Sequence, residues 1–296
     1  MVTTVAGNTR KIKRTIEDIF KSRQLTFLVG PNRVEFNVHQ YAFTRLSEPL
    51  RAMLADDSNV SVEFGVVWSD VEPATFTSLL EYAYTDNYSV PRLPKKPAPP
   101  TTTAAAAAAA ALPNRADMGE AVDEDDLWAV SSIMTWMMDN DERFGDCKRF
   151  GKWCYGRKYF ETEFPGPQPH WHDELQRSDC TGFAAIFMLH VKLYVVAERY
   201  RFFALRALCL QRLRESLVNV VLRAEFCEAL VEMLAYAYAN APPGDDLRMI
   251  LLRFCIFQMN HLKRHGYLYK MVTQMPPQFA VELLLEVPQG LWESAL

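Results

Sequence analysis

The sequence has no glycine-rich phosphate loop, no Gly-x-Ser-x-Gly elbow and no Cys-x-x-Cys pair, and each absence removes a class of chemistry. Without glycines opening a helix after a strand, no backbone cradle for a nucleotide phosphate is encoded. Without a serine elbow or a cysteine in a reactive setting, nucleophilic catalysis has no foothold. The six cysteines lie scattered at 147, 154, 180, 209, 227 and 255. A chain of this length needs no covalent staples, so reduced thiols in an intracellular compartment are expected, with cytoplasm or nucleus left open. No apolar run approaches the ~20 residues that cross a bilayer, so no membrane partner is expected. The N-terminal stretch lacks the apolar core of a secretory leader, and Glu17 and Asp18 oppose a transit peptide. A formal net charge of −4 has the wrong sign for a dedicated nucleic-acid binder. The basic "TRKIKR" at 9–14 merges into an amphipathic helix and reads as a solvated face.

What is present is regular structure in two blocks. Residues 9–21 carry an apolar stripe at helical spacing through Ile12, Ile16, Ile19 and Phe20. "LTFLVG" (25–30) and "VEFNV" (34–38) flank a Gly-Pro-Asn turn and read as a hairpin. The rhythm then changes: Phe43, Leu46, Leu50 and Leu54 repeat at helical spacing, predicting a helix from about Tyr41 to Met53. A strand is expected within 59–68. A helix opened by Pro73 follows, with Phe76, Leu79, Leu80 and Ala83 on one face.

At Pro91 the composition collapses into prolines, threonines and eight alanines (104–111). Nothing there can bury a core, so 91–126 is read as a disordered, low-complexity insertion. Residues 127–182 read as an irregular insertion with one apolar helix (127–140). Its Met134, Trp136, Met137 and Met138 could form either an adaptable binding surface or plain core. Helical blocks then run to Tyr200, over 202–217 and over 224–240. "APPGDD" breaks the pattern, with Asp245 or Asp246 as N-cap of a helix over 247–264. A short helix opened by Pro276-Pro277 closes the pattern. Strands first and helices later make the class α+β.

Three ordered stretches resemble a BTB/POZ domain. "LTFLVGPNRVEFNVHQYAFTRLSEPLRAML" is similar to that family's opening hairpin and helix, with Val38, His39 and Ser47 at signature places. "VEPATFTSLLEYAYTDNYSV" resembles its next segment, where the helix ends in a Tyr-Thr pair, here Tyr84 and Thr85. "HVKLYVVAERYRFFALRALCLQRL" is similar to the later helix pair, with Tyr194, Ala197 and Tyr200 in family-like positions. The style is that of BTB proteins of filamentous fungi, with an N-terminal helix and a helical C-terminal extension. The resemblance implies a small sheet with a hairpin, flanked by helices, with BTB/POZ parts at 22–90 and 183–217. An N-terminal helix (1–21) and a C-terminal extension (218–296) would frame them. It also implies a non-catalytic scaffold or adaptor for protein partners, forming a homodimer through Ile12, Ile16, Ile19 and Phe20. The family's charged pocket pair is replaced by Gln24 (or Thr26, by a shorter loop alignment) and Gln40, which speaks against co-repressor recruitment. An adaptor of a cullin-3-type ubiquitin ligase is the alternative within the fold. The family's hydrophobic-x-Glu triplet is matched only in part, by Leu54-Ala55-Asp56.

Two constellations carry chemistry of another kind. His39, at the strand-to-helix junction, could titrate or bind a ligand, but such a residue more often satisfies local backbone groups. Cys147, Cys154, His170, His172 and Cys180 supply zinc-type ligands, and the His-x-His pair projects both rings to one side of an extended segment. Their spacing matches no zinc motif, so free thiols and surface histidines are the simpler reading, and no cofactor or metal is expected. A zinc-binding or catalytic protein built on 141–180 is the alternative from a different class.

Overall fold

The alternation at 24–39 becomes a β-hairpin. In the computed structural model, which describes residues 16–55, 65–91, 182–220 and 222–287, β1 (Gln24–Val29) pairs antiparallel with β2 (Val34–His39), Phe27 facing Phe36. The turn needs two left-handed residues, Gly30 and Arg33. β3 (Val66–Trp68) adds to the other edge of β1 in parallel, giving a mixed sheet of order β2-β1-β3. Gly65 is required where β3 begins: its φ is +67°, and a Cβ there would stand 2.7 Å from the Thr26 carbonyl oxygen. Of the strand expected over 59–68, residues 59–64 lie outside the described residues.

The described residues cluster into two compact units, one holding residues up to Ser89 plus Val196–Leu205, the other Val90–Val195 and Arg206 onward. In the first, α1 (Ile16–Lys21) precedes the hairpin and α2 (Gln40–Thr44) and α3 (Glu48–Ala55) follow it. The single helix predicted from Tyr41 to Met53 is thus broken in two. Pro49 has no N–H to continue the ladder and would crowd the carbonyl of Arg45, four residues back. The Ser47 hydroxyl restarts the helix by accepting from the Leu50 N–H at 3.1 Å. α4 (Pro73–Thr85) ends on Asp86, whose φ of 57° is a left-handed cap. The nearly inaccessible Arg45 guanidinium donates to the Ala83 carbonyl at 2.6 Å and to Asp86 Oδ1 at 3.0 Å, a cation set at the negative end of that helix.

An aromatic cluster forms this unit's core. Phe27 packs on Phe43, Trp68 and Phe76 with ring centres 5.3–5.4 Å apart. Tyr200 stacks on Trp68 at 4.2 Å and 13°, and Phe202 reaches Phe43. Arg199 pairs with Asp70.

The second unit is helical. It draws on α5 (Phe183–Arg199) and α6 (Phe203–Asn219), whose adjoining ends belong to the first unit, then α7 (Ala224–Asn240) and α8 (Asp246–Phe257). α9 (Met259–Arg264), α10 (Tyr267–Gln274) and α11 (Pro277–Glu286) follow. Asp245 is the N-cap of α8, accepting from the Leu247 N–H at 2.8 Å. The helix expected over 247–264 is interrupted at Gln258, and α10 was not anticipated. Phe187, Phe226 and Phe254 form a ring chain through the core. On α11 Phe279 and Leu283 are buried. Glu282 and Glu286 turn to Arg248 and Arg253, while Val281, Leu284 and Leu285 face solvent. Among the described residues, no helix is long and apolar enough to cross a membrane.

Candidate protein-interaction surface

The corner where β2 hands over to α2 positions the residues singled out by the sequence. Val38 is fully buried, so the next residue along the strand, His39, points to the other side. His39 is half-buried and pairs with Gln24 at the far end of the hairpin register. The Tyr84 hydroxyl, delivered by the last turn of α4, meets His39 twice. It accepts from the His39 backbone N–H at 3.1 Å and lies 2.9 Å from Nδ1. A hydroxyl that accepts the first bond keeps both a proton and a lone pair for the second, so it serves either imidazole tautomer. The partner is therefore a side chain of another helix, where the sequence suggested local backbone. His39 is engaged in this clasp through its backbone N–H and Nδ1.

Over the clasp lies α1. Phe20 stands edge-on to the His39 ring, centres 5.0 Å apart, and 6.5 Å from the Tyr84 ring. Ile19, expected in the exposed patch, turns inward and is 3 % exposed, whereas Ile16 and Phe20 are 64 % and 61 % exposed. The helical repeat fixed the stripe but not which edge of it meets the core. Glu17 and Lys21 pair with each other along the helix, so their charges largely cancel beside the apolar pair. Ile12 lies outside the described residues.

The two glutamines have different places. Gln40 accepts from Arg23 Nε at 2.8 Å, and its amide donates to the Leu54 carbonyl at 3.0 Å. Arg23 donates to the same carbonyl at 3.1 Å, so both side chains cap the end of α3. This link was not read from the sequence; the spacing of residues 23, 40 and 54 carries no periodic signal.

Ser47, besides capping α3, donates to the Tyr200 carbonyl. Burial raises the Tyr200 phenol above its ordinary value, with Arg199 opposing. Tyr194, in the second unit, donates to Asp245 Oδ2 at 3.1 Å and so orients the N-cap of α8. Its phenol is raised, first by burial and then by the Asp245 carboxylate. These residues hold the fold. The cluster Cys147, Cys154, His170, His172 and Cys180 lies outside the described residues. Within those residues no group of three or more His, Cys, Asp or Glu is arranged to hold a metal ion.

Hairpin, twin helices, a parallel third strand and an apolar helix in this order match the family model described as the BTB/POZ domain, over residues 21–107. The chain carries a BTB/POZ domain. A search of the curated proteins finds no match to the chain. The matched span begins at the last residue of α1, so Ile16 and Phe20 lie just outside the BTB/POZ match. It also ends before Phe183, so Tyr200 and Phe202 join the aromatic core of the BTB/POZ unit from beyond it. A BTB/POZ domain is generally a non-catalytic protein–protein interaction module.

Proposed function

We propose that this BTB/POZ protein self-associates through α1, burying Ile16 and Phe20 against a second copy. The exposed pair on an otherwise anchored helix carries this reading. Large apolar side chains one turn apart, beside charges that neutralise each other, are costly to leave in water and offer little to a polar partner. Burying them contributes roughly 1–2 kcal/mol per side chain, since each is already about a third covered. Four such side chains across a twofold contact give a weak to moderate dimer. Because the contact is apolar, its strength changes little between low and high salt.

Light scattering on the full chain should give a mass that rises above the chain mass toward twice that value between micromolar and roughly millimolar concentration, and Ile16→Asp should hold it at the single mass. Ile16 is mostly exposed, so this variant keeps the fold. A wild-type protein that runs as a strict monomer at these concentrations overturns the reading, as does an Ile16→Asp variant that still dimerises.

A further inference from the structure

α11 carries two apolar stripes in the second unit, and they meet different surroundings. Phe279, Leu283 and Val287 recur at i, i+4 and i+8 and are buried. Val281, Leu284 and Leu285 recur at i, i+3 and i+4 on the other face and are 55 %, 58 % and 81 % exposed. Both carboxylates of the helix, Glu282 and Glu286, are committed to Arg248 and Arg253, so the exposed stripe suits an apolar occupant. The chain leaves α11 through Val287, whose backbone is extended (φ −62°, ψ 120°) and whose N–H caps the Leu283 carbonyl. Pro288 accounts for the stop: it has no N–H to continue the ladder, and it holds the residue before it out of the helical region. Residues 288–296 lie outside the described residues. Their sequence opens Pro288-Gln289-Gly290, which is turn chemistry, and leads to two large apolar residues, Leu291 and Trp292.

We propose that this tail reverses over the end of α11 and lays Leu291 and Trp292 on Val281, Leu284 and Leu285. The reach suffices. Leu285 and Val281 stand ~3 and ~9 Å back from Val287 along the helix axis, and the chain from Val287 to Leu291 spans up to ~13 Å. Gly290 gives the reversal its conformational freedom. Tethering decides the occupant. Three side chains offer on the order of a few hundred Å2, little for an independent partner at low concentration. A segment joined by so short a linker meets the same stripe at an effective concentration of roughly millimolar order. The contact opens locally without unfolding the unit, so its reporter is the tail's own tryptophan and not global stability.

The test is steady-state fluorescence of the full chain at low micromolar concentration. Subtracting the spectrum of Trp292→Phe from that of the parent isolates the emission of Trp292. That emission should lie to the blue of free N-acetyltryptophanamide, be quenched less by acrylamide, and hold both properties on dilution. In a Leu284→Lys/Leu285→Lys chain, with the difference taken against the same chain carrying Trp292→Phe, both should revert to the free values. Lysine suits the last turn of a helix, and both positions are exposed, so α11 is kept. Val281→Lys, one turn earlier, should have the same effect by itself. Emission that matches free tryptophan in the parent, a blue shift that survives in both variants, or one that fades on dilution as contact with a second copy would, each overturns the proposal.

Discussion

His190 makes the second unit labile to acid by an amount that its burial sets. Its imidazole is fully buried in the middle of α5. That burial, reinforced by the nearby Arg212 guanidinium, lowers its pKa from 6.5 to about 3. Above pH 6.5 the group is neutral whether the chain is folded or not, and it adds nothing to the pH dependence. Below pH 6.5 the unfolded chain takes up a proton that the folded chain refuses. Stability then falls by about 1.4 kcal/mol per pH unit until the folded-state pKa is reached. Between pH 7 and pH 5 the linkage integrates to about 2 kcal/mol from this residue alone. Other histidines also titrate in that window, so the measurement is a difference. Urea unfolding of the full chain, followed by circular dichroism at pH 7.0 and 5.0, is compared with the same pair of curves for His190→Gln. Wild type should lose about 2 kcal/mol more than the variant on acidification, a midpoint displacement on the order of 1 M urea. The displacement belongs to whichever transition reports the second unit. Parallel losses in the two proteins, agreeing within about 0.5 kcal/mol, would refute the argument that His190 is held neutral by burial.

Two further substitutions separate residues that look alike in sequence. Tyr84→Phe keeps the ring but removes the hydroxyl that serves both His39 nitrogens, and thermal or urea unfolding should show a loss of about 1–3 kcal/mol. On α11, Leu283→Ala should cost about 2–5 kcal/mol, because Leu283 is 6 % exposed. Leu285→Ser, at a residue 81 % exposed, should stay within about 0.5 kcal/mol by the same measurement.

Periodicity made the elements legible but left their boundaries and orientation open. The hairpin could be read because strict alternation through Leu25, Phe27 and Val29 has one explanation, a strand with one buried face. α4 was equally clear, since Pro73 starts it and its apolar repeat is unbroken. The break at Ser47 was missed although Ser-Glu-Pro signals a new helix start; the leucine repeat runs straight across it and masks it. α10 was missed because it is short and its one fully buried residue, Met271, makes no stripe. Long-range pairings such as Tyr84 with His39 or Arg23 with Leu54 have no local signal. They depend on where the chain returns, and a single sequence does not record that. The choice of face on α11 shows the same limit. Its apolar pattern is compatible with either edge facing inward, and the ion pairs to Arg248 and Arg253 decide between them.

The polar groups at the β2–α2 corner are occupied within the chain, and this bears on what the corner can recognise. Tyr84 engages His39, Gln40 and Arg23 both donate to the Leu54 carbonyl, and Glu17 and Lys21 bond to each other. Where the resemblance led one to expect a charged pair, neutral Gln40 serves as a structural tie. On the proposed reading, a partner approaching here would meet Ile16 and Phe20, and recognition would run on burial and shape. A second copy fits that demand well. Two antiparallel α1 helices related by a twofold axis through their middle would set Ile16 of one copy against Phe20 of the other, twice over. The smaller side chain then meets the larger in both halves of one self-complementary contact. A charged partner would have to break the internal pairs before making its own, and each broken bond subtracts from the affinity it could gain.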